Sequence, residues 1–294
     1  MSDLRTDPDL RARFVSLVSG SIPRKVEASS VAIVRGNHPV VEQIGSGTLC
    51  VVADRHFIAT ATHVVEEARR MGAGMGISNA EEGFVALDGE WSASVPASTG
   101  DRDTTDVAVY PLNEKQLDRL KGKYFVRLAD VDFSVDLEPG YFVILGYPRM
   151  LGQPSVSDGE KLQLGVMQYG TVFFAGDATG LAGYDPRYHL LLDASEQDLY
   201  DHSGNEMVMR GAHGIRVPFP SGLKGISGCG IWRLGKSSKP VRAWTENDCV
   251  LVGVQTSLYE RRGAIKGTRW RFVTTLLAGR FPELTNAMRL HEVR

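Results

Sequence analysis

The stretch Gly222-Leu223-Lys224-Gly225-Ile226-Ser227-Gly228-Cys229-Gly230-Ile231-Trp232 sets a serine among glycines and then runs into an apolar segment with the character of a strand. A serine hydroxyl is a weak nucleophile, so chemistry needs it presented on a tight turn, open to a base and to a carbonyl. Small neighbours let main-chain N–H groups approach the oxygen that becomes negative in the transition state. The same residues also describe a glycine-rich turn between two strands, because glycine is the default wherever φ must be positive. The stretch alone leaves both readings open.

Upstream, short apolar runs separated by turn residues recur through most of the chain. Val31–Val34, Gly45–Val52 and Phe57–Thr60 come first, with Phe84–Leu87 and Trp91–Val95 as weaker candidates. Tyr141–Leu145, Lys161–Met167, Gly170–Phe174, Tyr188–Leu192 and Cys249–Thr256 form a second set. Such a series predicts an all-β sandwich or barrel. Helical spacing predicts an N-terminal helix that begins at Asp7-Pro8 and ends by Ser19-Gly20 and Pro23. It also predicts a short helix from Ala61 to Ala68, a helical piece over Glu114–Leu120 and an amphipathic helix over Thr268–Ala278. Asp193–His213 is polar and aperiodic and reads as a long surface loop.

Two residues in this frame could serve a serine. His63 ends the apolar and small segment Phe57-Ile-Ala-Thr-Ala-Thr-His63, at the start of the short helix. A general base needs such a fixed position and a pKa near the working pH, although a histidine at a strand-to-helix junction is more often structural. His38, His56, His189, His202, His213 and His291 lack that setting and read as surface or hydrogen-bonding residues. Asp106 follows a polar, acidic loop and opens the apolar run Val-Ala-Val-Tyr. It reads either as a solvated loop acid or as the buried partner that fixes the tautomer of His63. Asp103 and Asp101 are the fallback acids.

The remaining composition narrows the classes. The chain has 294 residues, is 43% hydrophobic and has a formal net charge of −2. That suffices for one large domain or two small ones and gives no electrostatic case for nucleic acid or an acidic membrane. Cys50, Cys229 and Cys249 are odd in number and widely spaced, which argues against a disulfide framework and a zinc site. No cofactor motif is present. The first twenty residues do not read as a secretory signal, and no window approaches the roughly 18 apolar residues of a membrane span. A soluble protein of the reducing cytoplasm is expected.

With His63, Asp106 and Ser227 in that order, the chain resembles the trypsin-like (chymotrypsin-fold) serine peptidases. Phe57–His63 is similar to the family's apolar strand and Thr-Ala-Ala-His, with Thr62 in the last alanine position. Asp106-Val-Ala-Val is similar to Asp-Ile-Ala-Leu/Val, and Gly225-Ile-Ser-Gly-Cys-Gly230 to Gly-Asp/Asn/x-Ser-Gly-Gly/Ser-Pro. Gly45-Ser-Gly-Thr48 and Gly146-Tyr-Pro148 fit the bacterial, Deg-type branch, and Gly253-Val-Gln-Thr256 looks like the strand beside a bound substrate. The resemblance covers residues 26–282.

It implies two antiparallel six-stranded β-barrels with the active site between them and a closing C-terminal helix. The expected divisions are an N-terminal extension over 1–25, barrels over 26–125 and 126–282, and a tail over 283–294. The implied activity is a regulated serine endopeptidase acting on protein or peptide substrates, with a regulatory protein partner as a further expectation. The implied roles are Ser227 as nucleophile, His63 as base and Asp106 as orienting acid, with an oxyanion hole from the Gly225 and Ser227 N–H groups. Ser221 would form the base of the specificity pocket and Thr256, Ser257 and Leu258 its wall. All four are uncharged, although Glu260 could supply a charge nearby. Ile226 stands where secreted digestive members carry an aspartate, so their activation route is absent. Cys229 is an alternative nucleophile. An inactive scaffold or sensor on the same fold is the alternative function. An esterase on another fold is disfavoured by the order of the three residues.

Overall fold

The structure, a computed structural model, describes residues 21–37, 40–70, 72, 74–79, 83–95, 104–134, 137, 140–151, 153–154, 162–194, 199–200, 223–235 and 244–292. The expected helix after Asp7, the fallback acids Asp101 and Asp103, Ser221 and most of the 193–213 loop lie outside these residues.

Helix α1 (Ser21–Ala28) precedes a first sheet of β1 (Ser30–Asn37), β2 (Val40–Val52), β3 (Arg55–Thr60), β4 (Met75–Asn79), β5 (Gly83–Ala86), β6 (Ser92–Ala93), β7 (Ala108–Pro111) and β8 (Val126–Arg127). Helix α2 (Thr62–Arg70) follows β3, and α3 (Glu114–Asp118) follows β7. The second half contributes β9 (Tyr141–Gly146), β10 (Gln153–Pro154), β11 (Leu162–Gln163), β12 (Met167–Val172), β13 (His189–Asp193), β14 (Leu199–Tyr200), β15 (Gly230–Leu234), β16 (Val250–Tyr259) and β17 (Ala264–Arg269). Helices α4 (Trp270–Arg280) and α5 (Thr285–Glu292) end the described chain.

The first sheet runs β5-β4-β1-β2-β3-β7-β6, with β8 beside β2, and the second runs β13-β17-β16-β15-β9-β12-β14. Every pair is antiparallel except β2 with β8. The second sheet closes on itself beyond β12, where Phe173 bridges Leu192 and the Phe174 N–H donates to Leu191 O at 3.0 Å. Strands of four residues or more number six in each sheet among the described residues: β1–β5 with β7, and β9, β12, β13, β15, β16 and β17. The two-residue pieces are short additions at their edges. This is the chymotrypsin-like pair of barrels that the resemblance implies.

Strand alternation explains how the two barrels join. Side chains along a strand point alternately to opposite faces. In β9, Phe142 and Ile144 fill the second barrel, while Val143 and Leu145 face a cluster shared by both halves. In β3, Ile58 fills the first barrel and Phe57 and Ala59 face the shared cluster. Both faces of these strands are therefore dry, which is why they read as continuous apolar runs. Trp232, Trp270, Val273 and Leu277 complete the shared cluster. Removing a buried Trp side chain there should cost about 3–5 kcal/mol.

Several boundaries differ from the sequence reading. Pro23 lies inside α1 rather than ending a helix; near a helix start its missing N–H leaves no bond unmade. Thr268 is the penultimate residue of β17, and the closing helix begins at Trp270. Residues 161–174, read as two strands, form the short β11 and then β12, with Gly170 in the middle of β12 rather than at its start. Helix α5 occupies much of the segment expected as a tail.

Candidate active site

His63 is the second residue of α2, directly after β3. Asp106 lies just before β7, the neighbour of β3 in the sheet, so strand pairing alone brings the two together. The His63 ring Nδ1 lies 2.8 Å from Asp106 Oδ2, and the His63 backbone N–H donates to Asp106 Oδ1 at 3.0 Å. Both carboxylate oxygens are thus engaged by one residue. The backbone matches: Thr62 N–H donates to Asp106 O at 3.2 Å. Thr62, standing where the family's motif has alanine, donates its hydroxyl to Val107 O at 2.8 Å, and Ser94 Oγ accepts the Val107 N–H at 2.9 Å. Asp106 takes φ +52°, a left-handed conformation uncommon outside glycine and concentrated at functional sites.

The electrostatics of His63 follow from this grip. Burial alone would lower its pKa, but the Asp106 hydrogen bond and charge, with Glu67 and Glu66 one turn along the helix, hold it above the ordinary histidine value. The carboxylate side chain is 14% exposed and the imidazole 44%, so the ring's outer edge stays open to the cleft. His189 stands in the opposite condition. It is fully buried, and burial together with Lys266 lowers its pKa to about 4.

Ser227 sits in the turn that leads into β15, on the second barrel. The first barrel holds this turn. Ser46 N–H donates to Ser227 O at 2.8 Å, and Gly225 O accepts from Gln43 Nε2 at 2.9 Å and from Ser46 Oγ at 3.1 Å. Arg149 N–H donates to Lys224 O at 2.7 Å, and Cys229 N–H to Ile226 O at 3.0 Å. In a planar trans peptide the N–H points opposite to the carbonyl. The Gly225 and Ser227 N–H groups are thereby turned away from Arg149 and Cys229 respectively. Two glycines permit the turn. Gly225 and Gly228 take φ +97° and +94°. A Cβ on Gly228 would meet Ser46 O and Thr60 Oγ1 at 2.1 Å each, so the two barrels touch through bare backbone here.

His63, Asp106 and Ser227 line one cleft of about 910 Å³, together with Thr256, Ser257 and Leu258 of β16. Thr256 Oγ1 is buried and finds no hydrogen-bond partner among the described residues. The sequence reading did not place Lys266 at the cleft. Lys266 of β17 also lines the cleft and donates to Gly183 O at 3.2 Å and Thr104 O at 3.4 Å. Glu260 is exposed in the turn after β16. Cys229 is fully buried and burial pushes its thiol far up, so it is no nucleophile. Cys50 and Cys249 are also buried, their thiols pushed up to about 12. Among the described residues no three His, Cys, Asp or Glu side chains are grouped to hold a metal ion.

Sequence reading did not assign Gln43, Ser94 or His189 to the site, and gave Ser46 no role. Only Ser46 carried a signal, within Gly45-Ser-Gly-Thr48. The others are distant in sequence from what they hold and belong to no local pattern.

No protein-family model matches the chain, and no curated protein matches it. Among solved structures it is similar to the protease Anisep from Arthrobacter nicotinovorans, at 14% identity and a TM-score of 0.48, over 85% of this chain and 94% of that one. It is also similar to a serine endoprotease from Yersinia pestis, at 15% identity and a TM-score of 0.47, over 92% of this chain and 67% of that one. A thermostable serine protease, AL20, from an extremophilic microorganism is 12% identical with a TM-score of 0.45, over 85% of this chain and 94% of that one. The two antiparallel sheets and their order, rather than these distant likenesses, make this chain a chymotrypsin-like two-barrel protein.

Proposed function

We propose that the chain is a serine endopeptidase. Ser227 Oγ attacks the substrate carbonyl carbon as His63 Nε2 takes the hydroxyl proton. Asp106, bonded to Nδ1, keeps the ring in the tautomer that leaves Nε2 free to accept and stabilises the imidazolium that forms. The Gly225 and Ser227 N–H groups serve the oxyanion. The tetrahedral intermediate collapses, the amine leaves with the proton from His63, and water releases the acyl group by the same route. The observation that carries this reading is the two-point grip of Asp106 on His63 in the cleft that Ser227 lines.

Thr256, Ser257 and Leu258 form the specificity wall. The second barrel's part of the cleft, Ala182, Gly183, Thr256–Leu258 and Lys266, offers a cation and no carboxylate among the described residues. A substrate Arg or Lys would be buried there unpaired, which costs several kcal/mol. Cleavage after small or medium apolar residues follows.

Ser227→Ala tests the core of the proposal. Turnover of a casein or mixed-peptide substrate should fall by about 10⁴ or more with the melting curve unchanged. A fluorophosphonate probe should label Ser227 in the parent and nothing in the variant. Equal turnover in the variant refutes the assignment.

A further inference from the structure

The chain just before Asp106 is bonded to the barrel it does not belong to. The two carbonyls just before it, those of Thr104 and Thr105, are both held by strands of the second barrel. His189 Nε2 lies 2.5 Å from Thr104 O, and Thr268 Oγ1 donates to Thr105 O at 2.5 Å. His189 of β13 and Thr268 of β17 are direct cross-strand partners, so the two donors stand side by side on one sheet. Two adjacent donors on a closed sheet hold two consecutive carbonyls, which fixes the peptide planes that lead into Asp106.

The protonation of His189 can be read from its neighbours. His189 Nδ1 lies 2.9 Å from the Asp185 N–H, which it can accept, and 3.0 Å from Asp185 O, whereas Nε2 faces the Thr104 carbonyl at 2.5 Å; a single ring proton satisfies the shortest contact and leaves Nδ1 to accept when it sits on Nε2. The ring is fully buried and stays neutral down to about pH 4, so it holds this form wherever His63 could act as a base. Lys266 Nζ adds a longer bond to the same carbonyl, at 3.4 Å. The next residue, Asp106, takes φ +52° and meets His63 at both carboxylate oxygens. A left-handed aspartate is strained and persists only where its surroundings over-determine it.

We propose that His189 and Thr268 are positioning residues for the orienting acid: by holding Thr104 and Thr105 they set the left-handed turn that aims the Asp106 carboxylate at His63. This rests on the peptidase reading for its effect on catalysis, but not for its effect on His63 itself. Neither residue lines the cleft. Both act through Asp106.

The test pairs variants that remove each donor with variants that keep it. Thr268→Val is isosteric and leaves Thr105 O without its hydroxyl donor, whereas Thr268→Ser restores a hydroxyl. His189→Phe fills the space without a donor, whereas His189→Gln returns an N–H near the position of Nε2. A catalytic group displaced by about 1 Å loses on the order of 10²-fold in rate. The Val and Phe variants should therefore lose tenfold to a hundredfold in kcat, with KM within twofold of the parent. The His63 titration midpoint, followed by NMR on the full chain, should fall towards the ordinary value in both. Serine and glutamine should recover most of each change.

An unchanged kcat and midpoint in Thr268→Val and His189→Phe overturn the proposal. So does a failure of both to fold, or a failure of serine and glutamine to rescue. The NMR midpoint needs no turnover. A protein that hydrolyses nothing yet shows the midpoint shift refutes the peptidase reading and retains the positioning role. A protein that hydrolyses peptides without the shift does the reverse.

Discussion

Gly228→Ala puts the join between the barrels under direct test. The new Cβ would lie 2.1 Å from the Ser46 carbonyl oxygen, 2.1 Å from Thr60 Oγ1 and 3.0 Å from Thr60 Cα. Real contacts of this kind need somewhat over 3 Å, so the turn and β2 must separate by about 1 Å. Neither obstacle is the end of a flexible side chain. One is backbone of β2, and the other is a hydroxyl that donates to that same Ser46 carbonyl at 2.8 Å. The alanine must also hold φ +94°, a strain of about 1–2 kcal/mol for a residue with a Cβ. Overpacking adds about 1–3 kcal/mol. The sum predicts a loss of about 2–5 kcal/mol, readable as a lower midpoint in urea at unchanged slope. The bond from Ser46 N–H to Ser227 O at 2.8 Å is the first to stretch, which carries the displacement to the nucleophile. About a hundredfold loss in kcat/KM should accompany it. If alanine here lowers stability by less than about 0.5 kcal/mol and leaves turnover intact, the contact through bare backbone is not as described.

Asp106→Asn should leave a folded protein that is about 10⁴-fold slower, because the amide stabilises the wrong tautomer of His63, while Asp103→Asn should cost little. Inactivity of the Asp103 variant alone would move the role to that residue. The pH dependence of kcat/KM has a defined sign. Its pKa lies above the ordinary His value of about 6.5, so activity is low in mild acid and rises as pH passes the raised value. Glu67→Gln should move that limb to lower pH, and a limb at or below 6.5 in the parent would contradict the electrostatics described. The His63–Asp106 pair also contributes stability that is present below the unfolded-state value and lost as pH rises through the folded one. Profiling with a mixed peptide library should show cleavage after Ala, Val or Leu with modest discrimination, since a methylene is worth only about 1–3 kcal/mol. A clear preference for Arg or Lys would refute the wall assignment.

What could be read from the chain beforehand depended on whether the determinant was local. Tyr141–Leu145 and Cys249–Thr256 are dry on both faces, and that leaves continuous apolar runs that announce strands. In β17 the only large apolar residue is Ile265, and Lys266 is buried with its ammonium on main-chain carbonyls, so the strand lacks any such run. Pro23 was read as a terminator because the sequence does not tell a proline that ends one helix from a proline that begins the next. His63, Asp106 and Ser227 each sit in a short motif, and the motifs are legible singly. Their supports are not. Gln43 reaches Gly225, and His189 reaches Thr104, across long stretches of chain. Such bonds exist only once two barrels have docked, and no window of sequence contains both ends. His189 in particular reads as an ordinary polar residue until its complete burial is seen.

The crossing of supports has a consequence for biosynthesis. A ribosome delivers His63 and Asp106 long before Ser227, and β17 with Thr268 last of the elements that touch the site. A half-made chain would hold the proposed base and acid without the proposed nucleophile, and without the two donors that hold the carbonyls before Asp106. Nor could either barrel by itself keep its half of the site, since the serine turn would lack Ser46 and Gln43 just as the Thr105 carbonyl before Asp106 would lack Thr268. The proposed hydrolysis thus requires both barrels to be made and docked, so the order of synthesis itself delays the chemistry until the fold is assembled.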